Sequence, residues 1–390
     1  MKIGLTICEY NPFHNGHLYS LNQIKEQLNP QALVVIMSGN FTERGEMAIM
    51  HKYKRAEHAI KAGADMVIEL PTVFATAPAE IFAKGAVKLL SELKGDKTLC
   101  FGIESGTKSG LIATATALSS ESKQFKTLLK EELKEGHSLA KARYNALEKL
   151  NPPGIDMGFT VTPNNILALE YTKAIIESGY PMDVLPITRK GTGYNEVIGK
   201  GNINSAKGIR ELVGQNLRKT CLKYMPKYSF DDLPKTLPSC DEIIMYSLLA
   251  TPKKQLAKIL DCTEGLENRI KALIKDNYTR DQLIQALATR RYTQTRLSRI
   301  TLACLLKIEG DFIEKCLKSD LYLKVLAIKK DKLNLLSDLA GNTPFIMRKK
   351  DADSLTQKAK ECFLTDVLAN DIYNLSTKTK TNEFHTVIVE

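Results

Sequence analysis

Residues 3–20 read IGLTICEYNPFHNGHLYS, and the pattern changes partway along. Residues 3–7 are apolar and rich in β-branched side chains, which suits a short buried strand. The run breaks at Glu9-Tyr10-Asn11-Pro12, where proline continues neither a ladder nor a central helix. From His17 onward, Leu18, Leu21, Ile24 and Leu28 recur at helical spacing. The stretch is therefore a strand, a tight loop and a helix start, with His14, Gly16 and His17 at the junction. The first N–H groups of such a helix lack internal partners and carry partial positive charge, so phosphate binds there. Gly16 has no Cβ to hold a planar base or ribose away. Two imidazole donors beside a phosphate site stabilise charge building on a pentavalent phosphorus. Taken alone, H-x-G-H reads first as two surface histidines in a loop. Its place after a first strand and before an amphipathic helix favours the site.

A chain of 390 residues suggests two or three domains, and 43% hydrophobic residues are enough for real cores. Without a run near 20 apolar residues, no membrane span is expected. Met1-Lys2-Ile3-Gly4 leads straight into the first strand, leaving no room for a signal peptide. The 8 cysteines are scattered and form no C-x-x-C pair, which suits reduced thiols in a cytoplasmic protein better than zinc sites or disulfides. Net charge is +11. Residues 1–215 hold 25 Lys and Arg against 22 Asp and Glu, and the remainder 30 against 22, so +8 falls on the second half. A polyanion docking there and a merely soluble basic surface fit that balance equally.

Along the first half, residues 32–37 (ALVVIM) make a second strand, followed by the loop Ser38-Gly39-Asn40-Phe41-Thr42-Glu43-Arg44-Gly45-Glu46. In open α/β sheets the ligand crevice lies off the carboxyl ends of the strands. The loop faces that crevice or is simply mobile and solvated. Ser38, Gly39 and Asn40 expose amides there, and Arg44 offers a bidentate clamp for an anion. Residues 51–62 form a helix burying Ala56, Ala59 and Ile60, with Lys52 and Arg55 on its solvated face or reaching a triphosphate. Residues 66–70 and 99–101 add strands three and four, the latter running into Gly102, where a backbone can approach a ligand. Residues 107–160 look like a charged helical insertion covering the sheet. Asn164-Asn165 precede an apolar helix as a cap, from which Asn165 also presents its amide to a nucleotide. A fifth strand (184–188) ends in Arg189-Lys190-Gly191, with Arg189 a second charge on a phosphate or a rim charge without a ligand. The expected fold is α/β: a Rossmann-like parallel sheet with helices on both faces.

Residues 226–240 carry three prolines and read as a linker. From 241 to 390 the pattern is mainly helical and basic. Its most informative stretch is Arg290-Arg291-Tyr292-Thr293-Gln294-Thr295-Arg296-Leu297-Ser298-Arg299. Four arginines around a tyrosine combine phosphate contacts with a face on which a base stacks, or make a salt-laced exposed helix. Residues 324–332 (KVLAIKKDK) and Arg348-Lys349-Lys350 add basic clusters, and residues 386–389 an edge strand.

The string Glu-Tyr-Asn-Pro-Phe-His-Asn-Gly-His resembles the H-x-G-H nucleotidyltransferase superfamily, and within it the bacterial tRNA(Met) cytidine acetate ligases. S-G-x-F-x-x-R-G-E at 38–46 is similar to a signature of that family. Residues 203–210 (INSAKGIR) resemble the superfamily's second signature, with Asn204 where serine is usual and Lys207 near a usual threonine. The resemblance implies an ATP site formed by Ile7, Cys8, Glu9, Tyr10, Asn11, Pro12, Phe13, His14, Asn15, Gly16, His17, Leu18, Tyr19 and Ser20 with Gly102, Asn165, Arg189, Ser205 and Arg210. His14 and His17 would be catalytic, and Ser38, Gly39, Asn40 and Arg44 would serve acetate. It implies activation of acetate as acetyl-adenylate and transfer to N4 of the wobble cytidine of elongator tRNA(Met). ATP would come with Mg2+, and the protein would supply no metal site of its own. Residues 1–225 would bind ATP, and 241–390 would bind tRNA through Arg290, Arg291, Tyr292, Arg296 and Arg299, with no membrane or DNA partner. The same motifs serve a maker of dinucleotide cofactors, or a non-catalytic RNA-binding protein with a vestigial pocket.

Overall fold

The computed structural model describes residues 1–120, 122–137, 139–190 and 201–390; Gly191, read as the end of the basic turn after the fifth strand, lies outside them. Among these residues the strands are β1 (Lys2–Cys8), β2 (Ala32–Ser38), β3 (Met66–Leu70), β4 (Asp96–Ile103), β5 (Met182–Thr188), β6 (Leu323–Lys329), β7 (Phe345–Ile346) and β8 (Val387–Val389). They form one sheet in the order β5-β4-β1-β2-β3-β6-β7, with β8 also on β6. The first five strands are parallel. Every residue of β2 and β3 is buried, as expected where helices cover both faces of a parallel sheet. Side chains alternate: Leu33, Val35 and Met37 face one apolar cluster, Val34 and Ile36 the other.

The connection from β1 to β2 and on to β3 runs one way across the sheet, while β4 and β5 lie on the other side of β1. The order thus reverses between β1 and β4, and a crevice opens beyond their carboxyl ends. Helices α1 (Asn15–Leu28) and α2 (Lys52–Lys61) cover one face through Leu21, Ile24, Ala56, Ala59 and Ile60.

The second half is mainly helical, as the sequence implies, and it also contributes strands to the sheet. Residues 324–332 looked like a basic cluster, yet Val325, Leu326, Ala327 and Ile328 are fully buried in β6, which runs antiparallel to β3. The sheet is therefore mainly parallel but mixed. The expected edge strand is β8, paired with β6. One apolar cluster runs from Leu5 and Ile36 of the sheet to Ile244, Leu283 and Ile300 of the second-half helices. The proline-rich segment 226–240 also packs: Ser229 Oγ donates to the Phe13 carbonyl at 2.9 Å, and Leu233 joins a small core with Ile209.

Lys52 and Arg55 lie on no solvated face. Arg55 is fully buried and donates to the carbonyls of Glu9, Ser38, Gly39 and Met50, tying the ends of β1 and β2 together. Lys52 Nζ sits between Glu69 (2.8 Å) and Glu383 (2.7 Å). Neither lines the crevice: Arg55 is spent on these carbonyls and Lys52 on the two carboxylates.

Candidate active site

The crevice is a cavity of about 270 Å³ walled by the end of β1, the start of α1, the 42–44 turn, the ends of β4 and β5, and residues 203–210. His14 is the N-cap of α1: its backbone is extended, and its Nδ1 accepts the Gly16 N–H at 3.0 Å. In return His17 Nδ1 accepts the His14 N–H at 3.3 Å, a capping box built from two imidazoles. The rings stack with centroids 3.7 Å apart. Because each Nδ1 accepts a backbone hydrogen, the neutral tautomer of each ring carries its proton on Nε2. Burial, helped by Arg189 and Arg210, pushes His14 down to about 3. Burial, the His14 ring and Arg189 hold His17 well below the ordinary histidine range. Both are thus neutral donors at physiological pH, at the positive end of the α1 dipole.

Gly16 lines the cavity and also gives the His14 ring its space. A Cβ there would lie 2.8 Å from His14 Cε1, so the missing side chain makes room for the imidazole.

Cations line the same cavity. Arg189 follows β5, its N–H donating to the Ile103 carbonyl at 2.9 Å, and its side chain lies across Gly102, where a Cβ would come within 3.0 Å. Arg210 Nη1 donates to the Asn11 carbonyl at 2.7 Å, fixing the guanidinium against the histidine loop. Ser205 caps the helix Ala206–Gly214 by accepting the Gly208 N–H at 3.0 Å, while Asn204 Oδ1 accepts the Ser205 N–H at 2.8 Å. Asn204, in the position where serine is usual, therefore braces the turn that opens this helix. The opposite wall includes Phe82, Phe101, Leu167 and Tyr171.

Of the expected ATP residues, Ile7, Cys8, Glu9, Tyr10, Asn11, His14, Gly16, His17, Tyr19, Ser20, Gly102, Arg189, Ser205 and Arg210 line this cavity. Pro12, Phe13, Asn15, Leu18 and Asn165 stand behind it. Phe13 is fully buried against Tyr10. Asn15 Nδ2 donates to the carbonyls of Asn202 (2.8 Å) and Lys223 (3.3 Å). Asn165 is buried: it accepts the Glu104 N–H at 2.8 Å and donates to the Gly158 carbonyl at 3.1 Å. The cap of that helix is Thr162, and its neighbour Asn164 lines the cavity instead.

The loop expected to serve acetate divides in the same way. Arg44 reaches the cavity, with Thr42 and Glu43 beside it. Ser38 is fully buried, a Cβ on Gly39 would meet Glu69, and Asn40 Oδ1 accepts the Lys52 N–H at 2.9 Å. Glu43 and the two phenylalanines were not singled out from sequence, since their approach to the cavity depends on how distant segments pack.

The arginine-rich stretch mainly holds the protein together. Tyr292 is 5% exposed, donates its hydroxyl to the Thr263 carbonyl at 2.7 Å and is covered by Arg296, so no base stacks on it. Arg291 pairs with Glu264 at 2.9 Å. Arg299 reaches Glu43 at 2.7 Å, and the buried Arg280 donates to the Gly45 carbonyl at 2.7 Å. Arg290 is exposed. Outside the cavity, Glu132, Glu135 and His137 converge, but Glu132 is already held by Lys149 at 2.6 Å.

A family model described as HIGH Nucleotidyl Transferase matches residues 1–386. A tRNA(Met) cytidine acetate ligase of Thermoanaerobacter sp. (strain X514) is 37% identical over 383 residues, 95% of this chain and 94% of that protein. One from Caldanaerobacter subterraneus subsp. tengcongensis is 36% identical over 398 residues, 98% of both. Among solved structures, Thermotoga maritima TmcAL bound with alpha-thio ATP superposes with a TM-score of 0.90 at 27% identity, covering 100% of each chain. The apo form of the same protein gives 0.92 at 28%, again over 100% of each.

Proposed function

The chain belongs to the HIGH nucleotidyl transferase family and, within it, to the tRNA(Met) cytidine acetate ligases, and from that premise we infer how it joins acetate to tRNA using ATP. An acetate oxygen attacks the α-phosphorus, and pyrophosphate leaves. The N4 amine of the cytidine then attacks the acetyl carbon of the adenylate, and AMP leaves. The observation that carries this reading is the pair of neutral, stacked imidazoles at the start of α1. Their Nε2–H groups are placed to hold the α-phosphate as its charge grows, without the reorganisation that solvent would require. Arg189 and Arg210 grip the departing pyrophosphate, and Arg44 holds the acetate carboxylate.

ATP enters as its magnesium complex, with the metal brought by the nucleotide. The wobble cytidine of elongator tRNA(Met) is the acceptor, presented by contacts from the basic second half. Among these residues, exposed Arg290 is better suited to a phosphate than the occupied Arg291, Arg296 and Arg299. No helix among the described residues is long and apolar enough to cross a membrane, and all eight cysteines are unpaired. With a tRNA substrate, these features support a cytoplasmic enzyme.

One incubation tests the reading: ATP, labelled acetate and bulk tRNA, followed by nucleoside analysis. Label is expected in N4-acetylcytidine, with AMP and pyrophosphate formed. ATP consumed only when a mononucleotide is supplied would indicate a maker of dinucleotide cofactors, and RNA retained without turnover a binding protein. Gly16→Ala is expected to lower acetate-dependent ATP–pyrophosphate exchange about tenfold or more, because its Cβ displaces the His14 ring and the donor it carries. Wild-type exchange in that variant would contradict the assigned role.

A further inference from the structure

The acetyl-transfer step releases a proton from the cytidine amine, and the histidines are poorly placed to take it. Each Nδ1 already accepts a backbone hydrogen, and each Nε2 is the donor to phosphate. Arginine and lysine side chains around the cavity carry no acceptor at neutral pH. Among the described lining residues two carboxylates remain, Glu9 and Glu43. Glu43 is bound to Arg299 at 2.7 Å, which commits it as an anion to holding the loop. Glu9 follows the last residue of β1, at the reversal of strand order where the crevice opens. Its Oε1 accepts the Glu43 N–H at 2.8 Å, and that bond fixes the carboxyl at the cavity wall. The carbonyl of the same residue is held from below by Arg55.

Resting on the acetyl-transfer reading, we propose that Glu9 accepts the proton of the N4 amine as that amine attacks the acetyl carbonyl. The N4–C bond forms, the bond from the acyl carbon to the phosphate oxygen of AMP breaks, and the proton passes to Glu9 Oε2. The charges around Glu9 suit that task. Burial pushes its carboxyl up from the ordinary range, and the Glu43 carboxylate pushes the same way. The Glu43 N–H, Arg210 and Arg44 oppose the rise, while Tyr171 faces it from the helix Pro163–Ser178. The result is a carboxylate more basic than a solvated one, as a proton acceptor requires.

The test separates the two chemical steps in the intact enzyme. Acetyl-adenylate is formed on the enzyme from ATP and acetate, tRNA is added, and a single turnover of transfer is followed across pH. Exchange of ATP with pyrophosphate is measured in parallel. Glu9→Gln is expected to slow transfer by about 100-fold or more relative to its effect on exchange, and to remove the acid limb of the transfer profile. Glu9→Asp, which keeps a carboxylate with a shorter reach, is expected to retain that acid limb at a reduced rate. Transfer and exchange falling together in both variants, or transfer by Glu9→Gln near the wild-type rate, would overturn the proposal; the second result would assign the proton to the departing phosphate. If wild-type protein exchanges ATP but acetylates no cytidine, the reading of function fails, and Glu9's role with it.

Discussion

His17→Ala is expected to lower acetate-dependent ATP–pyrophosphate exchange by about 10²–10³, corresponding to roughly 3–4 kcal/mol for one lost donor to a developing charge, while tRNA retention persists. The size follows from three features of the ring. It is neutral, so its contribution does not depend on a titration near pH 7. Its Nδ1 is bound to the His14 N–H, which fixes the tautomer and the direction of Nε2–H. Its face is stacked on His14, which fixes the tilt. His14→Ala adds a structural loss of about 1 kcal/mol, because His14 is also the N-cap of α1. His17→Ala also removes one bond of the capping box, the acceptor of the His14 N–H, so both variants should melt earlier than wild type. Unchanged exchange in His17→Ala would remove the α-phosphate from this position.

The largest effect on stability is expected from Lys52→Met. Lys52 is 1% exposed and lies between the buried carboxylates of Glu69 and Glu383. Removing the cation leaves the carboxyls of Glu69 and Glu383 in the interior without their shared partner, a change that typically costs about 3–5 kcal/mol. It also releases the C-terminal segment, since Glu383 is held against α2 largely through Lys52 and its carbonyl accepts from the Tyr53 hydroxyl. The pH dependence has a definite sign. Burial already pushes the Glu383 carboxyl above the ordinary range, against the pull of Lys52, and loss of Lys52 pushes it further. A carboxyl whose folded pKa exceeds its unfolded one favours the fold at low pH, and that contribution is lost as pH rises through the folded value. The deficit of Lys52→Met should therefore be smaller near pH 5.5 than near pH 8, measured as the shift in denaturation midpoint. Equal deficits at both would mean that Glu383 keeps its charge without its partner.

Local chemistry explains what could be read in the sequence. The five parallel strands are short apolar runs closed by glycine, proline or charge, and α1 announces itself through Leu21 and Ile24. The histidine junction was recognisable because strand, loop and helix start lie within 18 consecutive residues. Features that depend on distant partners were hidden. Lys52 and Arg55 occupy what looks like the polar face of α2, and only Glu383 and the carbonyls at the ends of β1 and β2 explain their burial. Strand β6 is a four-residue apolar run between lysines, and its charged ends concealed the buried centre. Tyr292 looked like a stacking surface, yet Thr263 and Arg296 enclose it. Of the asparagine pair, either residue could have faced the ligand. Asn164 stands three residues before Leu167, which also lines the cavity, so helical phase was the signal that distinguished it from Asn165.

The central assignment, that the two imidazoles grip the phosphorus under attack, is tested most directly by a crystal structure of the protein with a non-hydrolysable ATP analogue. The expected complex has the α-phosphate within hydrogen-bonding distance of Nε2 of both His14 and His17, and the β- and γ-phosphates against Arg189 and Arg210. A triphosphate bound elsewhere, or one whose α-phosphate contacts neither ring, would contradict it.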